Sequence, residues 1–144
     1  YKFEYGGRSV VISGDTAKSA NLQHFAKGVD ILLHEALSPT LVGIMHDSAV
    51  KTGNATMAKI TDDILNYHAS PVEAAEIARD AGVGELVYYH IVPPLVLPGT
   101  EAVWLEGVND VFENYTMSQD GTAFTLPPHS KEIIQTAEKM PGFP

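Results

Sequence analysis

Three apolar, strand-like runs that each close abruptly on an ionisable side chain constrain this chain more than any other feature. They read VVISGDT at 10–16, VDILLHEA at 29–36 and ELVYYH at 85–90. Near-continuous apolar runs of this length suit strands buried on both faces of a parallel sheet. The intervening stretches carry apolar residues at helical spacing, so the fold class expected is α/β, with helices covering a sheet. In such sheets ligands collect beyond the carboxyl ends of the strands. Asp15, Glu35 and His90 all fall there.

Before the first of these runs, YKFEY and RSVVIS flank Gly6-Gly7, which predicts a β-hairpin on a tight glycine turn. Helical spacing predicts a helix over 17–27, ended by Gly28, and two more over 40–50 and 55–66, broken at Gly53-Asn54. Ser70 and Glu73 form a capping box and Pro71 occupies a first helical position, predicting a helix over 71–81 that stops at Gly82. IVPPLVLPG, at 91–99, suits neither a helix nor a central strand. Further on, the pattern predicts a short helix over 107–115, a hairpin over 115–127 turning at Asp120-Gly121, and a tail over 127–144 with a helix at 131–139. The division expected is one unit over 1–126 and a C-terminal tail over 127–144.

Charge and residue usage narrow the chemistry. Nine Lys and Arg against eighteen Asp and Glu leave a formal charge of −9, which repels phosphate backbones and makes nucleic acid an unfavoured partner. With no cysteine and six histidines, any metal must be held by His, Asp or Glu. No apolar run approaches the roughly 18 residues of a membrane span, and no secretory pattern opens the chain. The expectation is a protein that contacts no membrane and is cytoplasmic by default.

Each polar strand end has a simpler reading beside the chemical one. Asp15 could cap the helix that follows it, and Glu35 could be solvated or cap the next one. His34 is expected to be packed or hydrogen-bonded, not a ligand. His68 precedes a helix start, where the positive end of the helix dipole favours a neutral imidazole able to act as a base. His24, His46 and His129 have no partner at metal-binding spacing and are assigned to surface or packing roles.

Taken together, SGDT at 13–16, LLHEA at 32–36, YHASPVEAAEIARDAGV at 67–83 and LVYYH at 86–90 resemble the C-terminal half of a metallo-β-lactamase-fold hydrolase. The nearest branch is the ribonuclease Z group with its arylsulfatase-like relatives. The resemblance implies an αββα sandwich, of which this chain would hold only the C-terminal half, with a dinuclear zinc site at one edge, manganese or iron being alternatives. It implies that Asp15 bridges two metals, that His90 ligates one, and that Glu35 and His68 form a pair delivering a proton to the leaving oxygen. A carboxylate bridging two cations, and a glutamate fixing the tautomer of a histidine, give these residues a physical reason to stand at strand tips.

Departures from the family pattern shape the expected substrate. The glutamate motif reads HEAL where the ribonucleases carry HEAT, the histidine motif reads HAS for HST, and His90 is followed by Ile-Val-Pro-Pro. With the acidic charge, these favour a small-molecule phosphate, sulfate or related ester over transfer RNA. The alternatives are a tRNA 3'-processing endoribonuclease and a non-catalytic α/β binding or scaffold domain. The family's HxHxDH motif is absent from these 144 residues, so the chain is expected to be a fragment whose partner is the N-terminal half of the domain, binding metal weakly alone. A homodimer is the assembly the family resemblance leaves open.

Overall fold

The computed structural model describes residues 1–137. Its first two strands, β1 (Lys2–Tyr5) and β2 (Arg8–Ile12), form the antiparallel hairpin expected, with Gly6 and Gly7 both at positive φ, as a two-residue turn of this hand requires. From β2 onward the main sheet is parallel, adding β3 (Ile31–Leu37), β4 (Glu85–Val92) and β5 (Tyr115–Met117) in the order β1-β2-β3-β4-β5. The crossovers carry α1 (Ala20–Phe25), α2 (Pro39–Lys51), α3 (Ala55–Asp63), a 3-10 turn at Ile64–Asn66, α4 (Pro71–Ala81) and α5 (Thr100–Trp104). A separate two-stranded sheet pairs β6 (Thr122–Thr125) with β7 (Ile134–Ala137).

The core lies between α4 and one face of the sheet. Ala74, Ala75, Ile77, Ala78 and Ala81 of α4 are buried with Val11, Leu32, Ala36, Leu86 and Tyr88. Four alanines let the helix approach the strands closely, and Ile77 with the strand aliphatics supplies apolar area worth about 25 cal/mol per Å² removed from water. Trp104 closes the far end, its ring edge-on to Tyr88 at 4.9 Å between centroids. Period-two alternation in β3 sends Leu32, His34 and Ala36 to the α4 side and Leu33 and Glu35 to the other.

Helix α4 spans the expected residues because its end signals agree. Ser70 accepts from the Glu73 backbone, Glu73 accepts from the Ser70 backbone, and Gly82 takes the left-handed cap at φ 64. Elsewhere tertiary pairing overrides the local pattern. The helix expected over 17–27 shrinks to six residues because Ser19, not Asp15 or Thr16, accepts the capping bond from Leu22. The short helix expected over 107–115 is replaced by α5 upstream, where Gly99 at φ 85 releases the chain from its proline run.

The hairpin expected over 115–127 does not form. Residues 115–117 are captured by the open edge of β4, and the strand after Asp120-Gly121 pairs instead with residues 134–137. Of the helix expected over 131–139, residues 134–137 form a strand instead, consistent with β-branched Ile134 and Thr136, residues 131–133 have no regular structure, and residues 138 and 139 lie outside the described residues. Buried Arg8 ties these layers together. One guanidinium nitrogen meets Asp30 at 3.0 Å and another donates to the carbonyls of Pro127 and Glu132. No helix among the described residues is long and apolar enough to cross a membrane.

Candidate metal centre

Four segments separated in sequence bring Asp15, Glu35, His68 and His90 together at the carboxyl edge of the parallel strands. Each offers a ligand-capable atom, and these atoms lie within 4.8 Å of one another. The set divides into two hydrogen-bonded pairs of different burial. One pair is sunk in the protein and the other faces solvent.

The buried pair is Glu35 with His68. Glu35 is completely excluded from solvent, and its carboxylate is met by three donors: the backbone N–H of Ala69 at 3.1 Å, that of Thr16 at 3.3 Å, and His68 Nδ1–H at 2.8 Å. A carboxylate can stay charged inside a protein when its lone pairs are taken in this way. The alternative of a solvated or helix-capping Glu35 is excluded; Ser38 caps α2. Because the carboxylate only accepts, His68 carries its proton on Nδ1, which leaves Nε2 free for other chemistry.

The exposed pair is Asp15 with His90. Their side chains are about half exposed, and His90 Nδ1–H donates to Asp15 Oδ1 at 2.8 Å. The loop carrying Asp15 is pinned from β3 and from β4 beyond it. Ser13 N–H donates to the Leu33 carbonyl, Ser13 Oγ accepts from Glu35 N–H, and Gly14 N–H donates to the Tyr89 hydroxyl at 3.0 Å. Asp15 is thus held by strand-end contacts and does not serve as a helix cap.

His90 owes its direction to a register break. Glu35 pairs with Tyr89 but Ala36 pairs with Ile91, so His90 is the extra residue of a β-bulge, at φ 45. Bulges next to functional sites re-aim side chains in this manner. A left-handed conformation disfavours any residue with a Cβ by about 1–2 kcal/mol. His90→Gly should therefore be more stable than His90→Ala by about 1 kcal/mol in urea unfolding, while both lose the imidazole. Equal stabilities would remove backbone strain from the account of this position.

The remaining histidines divide as expected between packing and surface. His34 is fully buried, its Nδ1 2.6 Å from the Glu35 carbonyl, and burial pushes its pKa below the ordinary imidazole value despite the nearby carbonyl and carboxylates. His46 lies against the Ala58 carbonyl and the Thr61 hydroxyl in the α2–α3 pair. Neither joins the four-residue cluster. Tyr89, whose hydroxyl anchors the Asp15 loop, was not singled out by sequence reasoning; its place beside His90 at a strand end was the available signal.

Asp15 and His90 suit a cation of the zinc, manganese or iron type: an oxygen and an imidazole nitrogen, both accessible and already adjacent. Glu35, with its oxygens occupied by protein donors, suits a supporting role better than direct ligation. Two protein donors are fewer than the three a catalytic zinc takes.

No family model matches this chain. It is 38% identical over 104 residues to the ribonuclease Z of Mycobacterium sp. (strain KMS), an overlap covering 72% of this chain and 32% of that protein. A putative ribonuclease Z of Mycobacterium tuberculosis (strain CDC 1551 / Oshkosh) matches at the same identity, with 41% of that protein covered. The chain therefore spans only about a third to two fifths of the length of these relatives. Among solved structures, the metallo-beta-lactamase fold protein YhfI from Bacillus subtilis superposes over 79% of this chain and 38% of its own, with a TM-score of 0.53 and 18% sequence identity.

Proposed function

We propose that this chain, which is ribonuclease Z-like in sequence and has the metallo-β-lactamase fold, supplies one side of the active site of a metal-dependent hydrolase that cleaves phosphodiester bonds in RNA. The observation that carries this is the convergence of Asp15, Glu35, His68 and His90 from four segments as one buried and one exposed pair. Capping and packing account for such residues singly. They do not account for all four meeting at the strand ends.

In this reading Asp15 and His90 hold the metal, zinc first, and further ligands come from the part of the metallo-β-lactamase domain outside these residues. The bound ions supply Lewis-acid polarisation and activation of water. Glu35, held by its two backbone donors, keeps the His68 ring with Nε2 outward. His68 then moves a proton at Nε2, delivering it to the oxygen that leaves when the P–O bond breaks. The relatives' name, ribonuclease Z, favours an RNA substrate over the small-molecule sulfate or phosphate ester suggested by the motif departures and the charge. Net charge governs non-specific association, whereas bound divalent ions set the local field at the site.

The test is hydrolysis by the intact, zinc-loaded protein, assayed on a structured RNA, an aryl phosphate and an aryl sulfate, with Asp15→Ala as control. RNA cleavage that is lost with chelator and with Asp15→Ala is the expected result. Turnover of an aryl ester alone would return the substrate to the small-molecule class. No turnover by protein of verified metal content would favour the scaffold reading.

A further inference from the structure

The strongest unexplained group in the molecule is the imidazole of His34. It is fully buried on the α4 side of β3, and its Nε2 has no hydrogen-bond partner among the described residues. Buried polar atoms are nearly always satisfied, so an exception asks for a reason. A leucine in its place would leave no orphan atom. The other ring nitrogen supplies the reason.

Nδ1 lies 2.6 Å from the backbone carbonyl of Glu35. A carbonyl only accepts, so Nδ1 must carry the proton, which makes Nε2 the bare nitrogen in the neutral ring. The bond falls at the place where the β3–β4 ladder breaks register, between Glu35 and Ala36. On β4 that break is the bulge at His90. One imidazole, on the opposite face of the strand from the Glu35 side chain, thus holds the peptide that carries Glu35 and borders the bulge presenting His90.

We infer that His34 is a positioning residue, which clamps the Glu35 carbonyl through Nδ1–H and so sets the direction of the Glu35 carboxylate toward His68. Its catalytic consequence rests on the reading of Glu35 and His68 given above; its structural consequence does not. The clamp acts from behind the strand, through the backbone, and needs no contact with substrate or metal. An orphan Nε2 is tolerated because the same ring must both fill the core against α4 and present a donor at the Nδ1 position.

Asparagine and glutamine separate this role from packing. The side-chain amide of Asn places its N–H close to where Nδ1 stands, whereas Gln places it near Nε2, beyond reach of the Glu35 carbonyl. His34→Asn, His34→Gln and His34→Phe would be made in the intact protein, with folding checked by circular dichroism. The first readout is the His68 Nδ1–H proton resonance in NMR, far downfield while Glu35 accepts from it. The second is kcat with KM on whichever substrate the intact protein turns over.

His34→Gln and His34→Phe should lose or shift the His68 resonance and lower kcat by about 10- to 100-fold with KM little changed, the usual reach of an orienting partner. His34→Asn should restore both. A His68 resonance unchanged in Gln and Phe, or lost equally in Asn, would overturn the clamp and leave His34 a packing residue. Should Phe fail to fold, the Asn and Gln pair decides. A resonance that follows this order in a protein without hydrolytic activity would uphold the clamp while the hydrolase reading fails.

Discussion

His68→Ala in the intact, metal-loaded protein should lower kcat by about 10²- to 10⁴-fold while leaving the metal content unchanged. The rate loss is the usual contribution of a positioned proton donor or acceptor. The retained metal follows from the pairing: His68 Nδ1–H is engaged with Glu35 at 2.8 Å, and it is Asp15 with His90 that faces solvent. Glu35→Gln should share most of the rate loss, because an amide oriented toward Ala69 N–H and Thr16 N–H cannot hold the His68 ring as the carboxylate does. Elemental analysis beside single-turnover rates checks both parts. Metal lost together with rate would make His68 a ligand, and an unchanged rate would remove it from the chemistry.

The second large effect is on stability and comes from the opposite end of the strands, where Arg8 opens β2 and Asp30 precedes β3. Arg8→Met should destabilise the fold by about 3–5 kcal/mol at neutral pH, because Asp30 would remain buried without its partner. Burial alone would push the Asp30 pKa up, but the guanidinium hydrogen bond, the Ser9 N–H and the Arg8 charge outweigh it and hold the carboxyl below its ordinary value. A depressed pKa stabilises the fold above the unfolded-state value and loses that contribution as pH falls through the folded one. The deficit of Arg8→Met against the parent should therefore shrink between pH 7 and pH 3 in urea titrations. A deficit independent of pH would assign the loss to the bonds Arg8 makes with Pro127 and Glu132.

The legibility of this chain divides along a physical line. Signals that act within a few residues were readable: the Ser70–Glu73 box, Gly82 at the cap, and the Gly6-Gly7 turn each satisfy backbone groups locally. The polar residues that close the apolar runs, Asp15, Glu35 and His90, were readable too, but the strand ends were not: β3 runs on to Leu37 and β4 to Val92, so Glu35 and His90 lie inside their strands. Pairing partners were not readable either. Asp120-Gly121 announced a chain reversal but could not say that residues 115–117 would join β4 while residues 122–125 joined residues 134–137.

At the site, the residues closing three apolar runs and the histidine before a helix start pointed to the four, whereas their division into a buried and an exposed pair depended on three-dimensional burial. The bulge at His90 is invisible in its own sequence, since it arises from a mismatch with β3 more than fifty residues earlier. His34 shows the same limit from the other direction. Its packing was foreseen, and the bond to the Glu35 carbonyl that gives the packing a purpose was not.

The two pairs also set an order of events for a chain folding for the first time. Asp15 meets His90 across 75 residues, and Glu35 meets His68 across 33. Closing long segments costs chain entropy before any contact returns it, and parallel strands can pair only after their crossovers are in place. Helix α4 and the first hairpin can organise early from neighbouring residues, and Glu35 can meet His68 once α4 docks on β3, but Asp15 does not meet His90 until β2, β3 and β4 lie side by side. The exposed pair is therefore complete only when the three central strands are in register, whereas the buried pair needs only β3 and α4.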